Sequence, residues 1–158
     1  MNIFFLDRCP RKCAEYHCDK HAIKMVLESA QMLSTAHHEL DSNPHPDLYK
    51  KAHLNHPSTI WVRSTVDQYV WTYRLFHCLS NEYTLRYKKI HKSWQVLGKV
   101  LQKTPDQLIK KGWSDPPQCM PDSIKSNDTV EAYRMYYKIE KGYFATWKIK
   151  QPHWYFKP

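Results

Sequence analysis

Residues Asp19 to Gln31 read DKHAIKMVLESAQ. On a helix, side chains three, four or seven apart share a face. His17, His21, Lys24, Glu28 and Gln31 then form a polar stripe, and Ile23, Val26, Ala30 and Leu33 an apolar one. The apolar stripe is expected to anchor the helix. The polar stripe sets a carboxylate beside a lysine and two imidazoles, which suits proton transfer or an amine attacking a sugar or carbonyl carbon. Glu28 is the expected acid–base or electrostatic group, held ionised by Lys24 or shifted upward by burial. His21 is expected to shuttle a proton or orient a phosphate. The same spacing also describes an ordinary exposed Lys–Glu pair, worth roughly 0.3 kcal/mol.

Three other groupings carry chemistry. Cys9, Cys13, His17, Cys18 and His21 are ligand types that zinc prefers, although the CxxC knuckle of structural zinc is missing. Arg63, Arg86 and Lys89 lie along or beside one helical stretch, and Trp154, Tyr155, Phe156 and Lys157 near the end of the sequence. Cations grip a nucleic-acid backbone and rings stack on exposed bases. The aromatic tail is equally suited to plugging a core. Asn55-His56-Pro57 sits at a helix entrance, where backbone N–H groups favour a phosphate.

These residues need helices to position them. Residues 2–7 suit a short buried lead. A first helix is expected from Arg11 or Asp19 to about His38, then a polar loop over 39–57. Ser58 or Asn55 is expected to cap the next element, which runs to about Lys89 with no Gly or Pro after Pro57. Val62, Val66, Tyr69, Tyr73, Phe76, Tyr83 and Tyr87 give it a helical stripe. A short helix is expected over 93–102, another after Thr104-Pro105 and ending at Gly112, and a last one from an Asp128…Glu131 capping box to about Trp147. No repeat or linker interrupts the pattern.

Composition points the same way. The chain has 158 residues, with 3 Gly, 6 Trp and 11 Tyr. Few glycines and many large rings indicate an all-α fold: a compact single-domain helical protein, residues 1–158, with one long central helix. A formal charge of +9 suits a polyanionic partner. The five cysteines are an odd number, and no stretch resembles a signal peptide or reaches the ~18 apolar residues that span a bilayer. Free thiols, a reduced cytoplasmic setting (host cytoplasm for a viral protein) and no membrane partner are therefore expected.

With these residues in view, the chain resembles the pyrimidine-dimer DNA glycosylase family, the endonuclease V-like enzymes of phage. That family has an Asp, a His two residues later, and a catalytic Glu seven residues after the His. Asp19, His21 and Glu28 match that spacing. His56-Pro57-Ser58-Thr59 before a long aromatic helix is similar to the family's central helix. Pro152 to Lys157 is similar to its aromatic, basic C-terminus.

The resemblance implies a helical DNA repair enzyme that flips a nucleotide out of the duplex. An α-amino group attacks the deoxyribose C1′, a Schiff base forms, and β-elimination cuts the strand. The glutamate supports the positive charge that develops on the sugar. No metal or cofactor is needed, and the partner is DNA. The implied catalytic set is Glu28 and His21 with an amine from Met1, from Asn2 after Met1 removal, or from a lysine such as Lys24 or Lys20. The DNA-binding set is Lys20, Asn55, His56, Arg63, Arg86, Lys89, Trp154, Tyr155 and Lys157.

Two departures stand out. Asn2 is too bulky for ready removal of Met1. Leu27 and Gln31 occupy positions where the family flanks its Glu with arginines, leaving Lys24 and Lys20 as the candidates to replace their charge. Two rival readings remain: a non-catalytic nucleic-acid-binding or host-interaction protein of phage type on the same scaffold, and a metal-dependent enzyme built on the Cys/His cluster.

Overall fold

The computed structural model describes residues 1–156. Lys157 lies outside the described residues. Among the described residues six α-helices follow in order: α1 (Pro10–Tyr16), α2 (Asp19–Leu40), α3 (Pro57–Val62), α4 (Val66–Tyr87), α5 (Lys92–Leu97) and α6 (Thr129–Tyr136). There is no strand among the described residues. The long helix α4 packs against both α1 and α2, and α2 matches it at 22 residues. One continuous apolar core draws on residues from Ile3 to Tyr155. Among the described residues, no helix is long and apolar enough to cross a membrane.

The buried lead at Ile3, Phe4, Phe5 and Leu6 is as expected. The first helix is two helices, because the backbone turns extended at His17 and Cys18. His17 therefore belongs to the α1 end and not to the α2 stripe. The anchoring face of α2 is also rotated from the expected one. Ile23 is 40% exposed, whereas Ala22, Met25, Val26, Ala30 and Leu33 are fully buried. Small Ala22, Ser29, Ala30 and Ser34 occupy that arc, so neighbouring chain can approach closely.

The stretch after Pro57 breaks at residues 63–65 without a Gly or Pro. Thr65 caps α4 by accepting from the Gln68 N–H, and its own hydroxyl donates to the Gly112 carbonyl. The break lets Trp61 meet Trp71 and Trp113 edge-on or tilted, with Phe5 alongside. No helix follows Thr104-Pro105. The Gln107 N–H goes to the Leu40 carbonyl at the end of α2, and the Ile109 carbonyl accepts from Val66 at the start of α4. This strap uses its backbone groups on two helix ends instead of on itself. The expected short helix is α5 followed by a 3₁₀ turn at Val100–Gln102.

Asp128 caps α6 as expected, accepting from Val130 and Glu131. The helix then widens into a π turn, Tyr137–Lys141, short of Trp147. Trp154 and Tyr155 are 8% and 1% exposed. They plug the core, and the expectation that they stack on DNA is corrected.

Arg86 is likewise a structural residue. Its side chain is 2% exposed, and it pairs with Glu82 at 2.9 Å and Asp19 at 3.2 Å. It also donates to the His17 and Glu15 carbonyls. A guanidinium this enclosed cannot grip a phosphate. Arg86→Ala is expected to cost ~3–5 kcal/mol of stability, because it strands buried partners. Urea denaturation of the variant checks this.

Candidate functional site

A pocket of about 270 Å³ opens where the chain start, α2, the α3 entrance and the C-terminal third meet. The lead contributes Met1, Asn2 and Phe4, and α2 contributes Lys24 and Glu28. His56 comes from the α3 entrance, and Cys119, Tyr136 and Lys141 from later in the chain. Hollows of about 400 and 630 Å³ lie elsewhere, but neither holds Glu28 or Met1.

Glu28 projects from the third turn of α2 with a side chain only 12% exposed. Lys24, one turn earlier and 63% exposed at its side chain, holds Glu28 Oε1 at 3.3 Å. Asn2 is tethered at both ends of its amide. Its Nδ2 donates to the Cys119 carbonyl at 3.0 Å, and its Oδ1 accepts from the Tyr133 hydroxyl at 2.9 Å. Residue 1 is therefore held at the pocket by its neighbour.

His56 is the cap of α3, a role expected for Ser58 or Asn55. Its Nδ1 accepts the Ser58 N–H at 3.1 Å. An imidazole accepting at Nδ1 and neutral carries its proton on Nε2. Burial pushes the His56 pKa down, and the charges of the terminal amine and His53 push the same way, against an opposite pull from Glu28. The terminal amine and Glu28 thus both act on His56. Pro57 has no N–H and the Ser58 N–H is taken by His56, so the first two positions of α3 offer no donor to the expected phosphate.

His21 does not line the pocket. It stacks on Phe4 with ring centroids 4.2 Å apart, and Phe4 does line it. Its Nδ1 lies 2.6 Å from the Tyr137 hydroxyl. That oxygen accepts from the Cys18 N–H, so its proton goes to His21. Burial drives the His21 pKa to about 3, helped by the charges of His17, Lys141 and Lys24. The expected proton shuttle is corrected: this ring is a neutral packing element that backs Phe4.

The remaining candidates spread out. Lys20 is exposed, its ammonium 5.0 Å from the Phe144 ring centroid. Arg63 is half-buried and donates to the Leu54 carbonyl at 2.9 Å. Asn55 and Lys89 are exposed. Cys119, Tyr136 and Lys141 were not anticipated. The Lys141 ammonium sits 4.9 Å from the Tyr136 ring centroid. No local pattern marks these residues, because only long-range packing brings them to Glu28.

The metal reading is overturned. Among the described residues no three His, Cys, Asp or Glu side chains are placed to hold an ion. Cys13 Sγ donates to the Phe4 carbonyl, and His17 Nδ1 donates to the Cys13 carbonyl at 2.7 Å. Cys9 is exposed while Cys13 and Cys18 are buried, so the thiols do not share one surface.

The model of one protein family, described as pyrimidine dimer DNA glycosylase, matches residues 1–96. The chain belongs to the pyrimidine dimer DNA glycosylase family. No curated protein and no solved structure gives a significant match. The family match takes in Asp19, His21, Glu28 and His56, and ends before Cys119, Tyr136 and Lys141. In this glycosylase-family chain, the C-terminal third therefore completes a pocket that Met1, Asn2, Phe4, Lys24, Glu28 and His56 line from within the matched part.

Neutral histidines tie this site to pH. Burial holds the His17 pKa at about 4 and that of His21 at about 3. His56 and His91 are also lowered, each chiefly by burial. The unfolded chain takes up protons below about pH 6.5 while the folded one does not, so folding stability is full above that pH and falls as pH drops toward 4. His17 alone accounts for about 3 kcal/mol across that window. Urea midpoints are expected to fall steadily from pH 7 to pH 4, and less steeply in His17→Leu.

Proposed function

We propose that the chain is a DNA glycosylase and abasic-site lyase acting on a damaged or modified base through an amine Schiff base assisted by Glu28. One observation carries this reading: Met1 and a shielded Glu28 line the same basic pocket in a member of this family. The pocket is a hollow in a helical surface, so a stacked base reaches it only by leaving the duplex. Lys24 and Lys141 line it as well, and their charges suit the phosphates flanking an extruded nucleotide.

The nucleophile is the α-amine at the chain start, on Met1 or on Asn2 after processing. Asn2's tether holds that segment at the pocket in either case. The amine's lone pair forms a bond to the deoxyribose C1′ while the C1′–base bond breaks and its electron pair leaves with the base. The nitrogen gives up a proton and the base takes one up. Opening of the sugar ring then yields the Schiff base, and loss of a C2′ proton expels the 3′ phosphate. Glu28 opposes the positive charge that grows at C1′ and on the ring oxygen. Lys24, 3.3 Å from its Oε1, holds Glu28 in place.

Borohydride trapping on duplexes with a pyrimidine dimer or an abasic site tests this reading. The expected result is a covalent adduct that maps to residue 1 or 2 and falls by about 100-fold or more in Glu28→Gln. An adduct on Lys24 would reassign the nucleophile. No adduct, with salt-dependent DNA binding that survives Glu28→Gln, would leave a binding protein and remove the enzyme.

A further inference from the structure

The His56 imidazole is half-buried, and it lines the pocket that holds Glu28 and Met1. Its Nδ1 is fixed as acceptor of the Ser58 N–H. The remaining proton is therefore on Nε2. That nitrogen is not among the buried polar atoms left without a partner, and the described hydrogen bonds of His56 involve only Nδ1. It is a free donor on a pocket-lining ring whose other nitrogen is committed.

We propose that His56 Nε2–H is a neutral hydrogen-bond donor to the carbonyl oxygen of the departing pyrimidine. This rests on the glycosylase reading above. When the C1′–base bond breaks, its electron pair spreads over the pyrimidine ring and collects on the ring oxygens. A donor already aimed there stabilises the charge as it forms and needs no reorganisation. No proton has to move to or from His56.

A neutral donor suits this pocket for a physical reason. The terminal amine, Lys24 and Lys141 already make it positive, and Glu28 supplies its negative charge. A charged imidazolium would lose its acceptor at Nδ1 and with it the cap of α3. It would also compete with the nucleophilic amine for Glu28. Burial and the neighbouring cations hold the ring neutral, which keeps both the cap and the donor. His56 thereby joins a structural duty to a chemical one, and favours leaving groups that carry a carbonyl beside the glycosidic nitrogen, as pyrimidines do.

Two substrates separate these duties. His56→Ser and His56→Asp keep an oxygen that caps α3 but place no imidazole donor in the pocket. On a dimer-containing duplex, single-turnover cleavage of the C1′–base bond is expected to fall by about 100-fold, the usual loss for one such donor. On a duplex carrying a preformed abasic site, no base departs, so borohydride trapping by the same variants is expected to stay within about 3-fold of the parent protein. Thermal melts of the variants accompany both assays. Equal losses on the two substrates, or no loss on either, would overturn the assignment while leaving the glycosylase reading intact. Absence of any adduct from the parent protein would overturn both.

Discussion

The buried pair of Arg86 and Asp19 sets the geometry on which the site depends. Asp19 opens α2, accepts from Arg86 of α4, and receives the Lys148 N–H from the C-terminal segment. Arg86 also holds the carbonyls at the end of α1. Three helices and a distant strand of chain are thus fastened at one point. The start and rotation of α2 follow from that point, and Glu28 follows from α2. An ion pair enclosed in this way stands on its hydrogen bonds, since charge attraction alone does not offset desolvation.

The Asp–His–Glu spacing then divides into two kinds of work. Asp19 is a fastening. His21 is a neutral ring packed on Phe4 and bonded to Tyr137. Both fix where α2 lies, and Glu28, two turns beyond His21, alone of the three reaches the pocket. A sequence motif that looks like three chemical groups is one chemical group with two supports. Asn2 plays the matching part on the other wall, where its amide pins the chain start to Cys119 and Tyr133. A bulky residue there is a tether as well as an obstacle to Met1 removal.

Histidine recurs here as a backbone-capping ring. His45, His56 and His91 each accept an N–H two residues on, at Asp47, Ser58 and Ser93. The shared pattern, His followed two residues later by a small polar residue, was visible in the sequence. At the α3 entrance the sequence suggests Ser58 or Asn55 as the cap, because those residues are the usual ones. The break at residues 63–65 was not visible. It is made by Thr65 reaching Gly112 and by Trp61 meeting distant rings, contacts that no local window contains. The strap after Thr104-Pro105 has a sound helix-start signal, yet the ends of α2 and α4 take its backbone groups.

By itself the sequence determined the helical class, the family spacing on α2, the place of Glu28 on its polar face and the cap at Asp128. Those depend on short-range periodicity and on backbone chemistry near one residue. Only the tertiary structure decided that His17 and His21 are interior, that Arg86, Trp154 and Tyr155 face inward, and that Lys141, Tyr136 and Cys119 join Met1 and Glu28. Burial is the reason. Whether a cation grips DNA or fastens helices, and whether an imidazole titrates or stays neutral, depends on what packs around it from far along the chain.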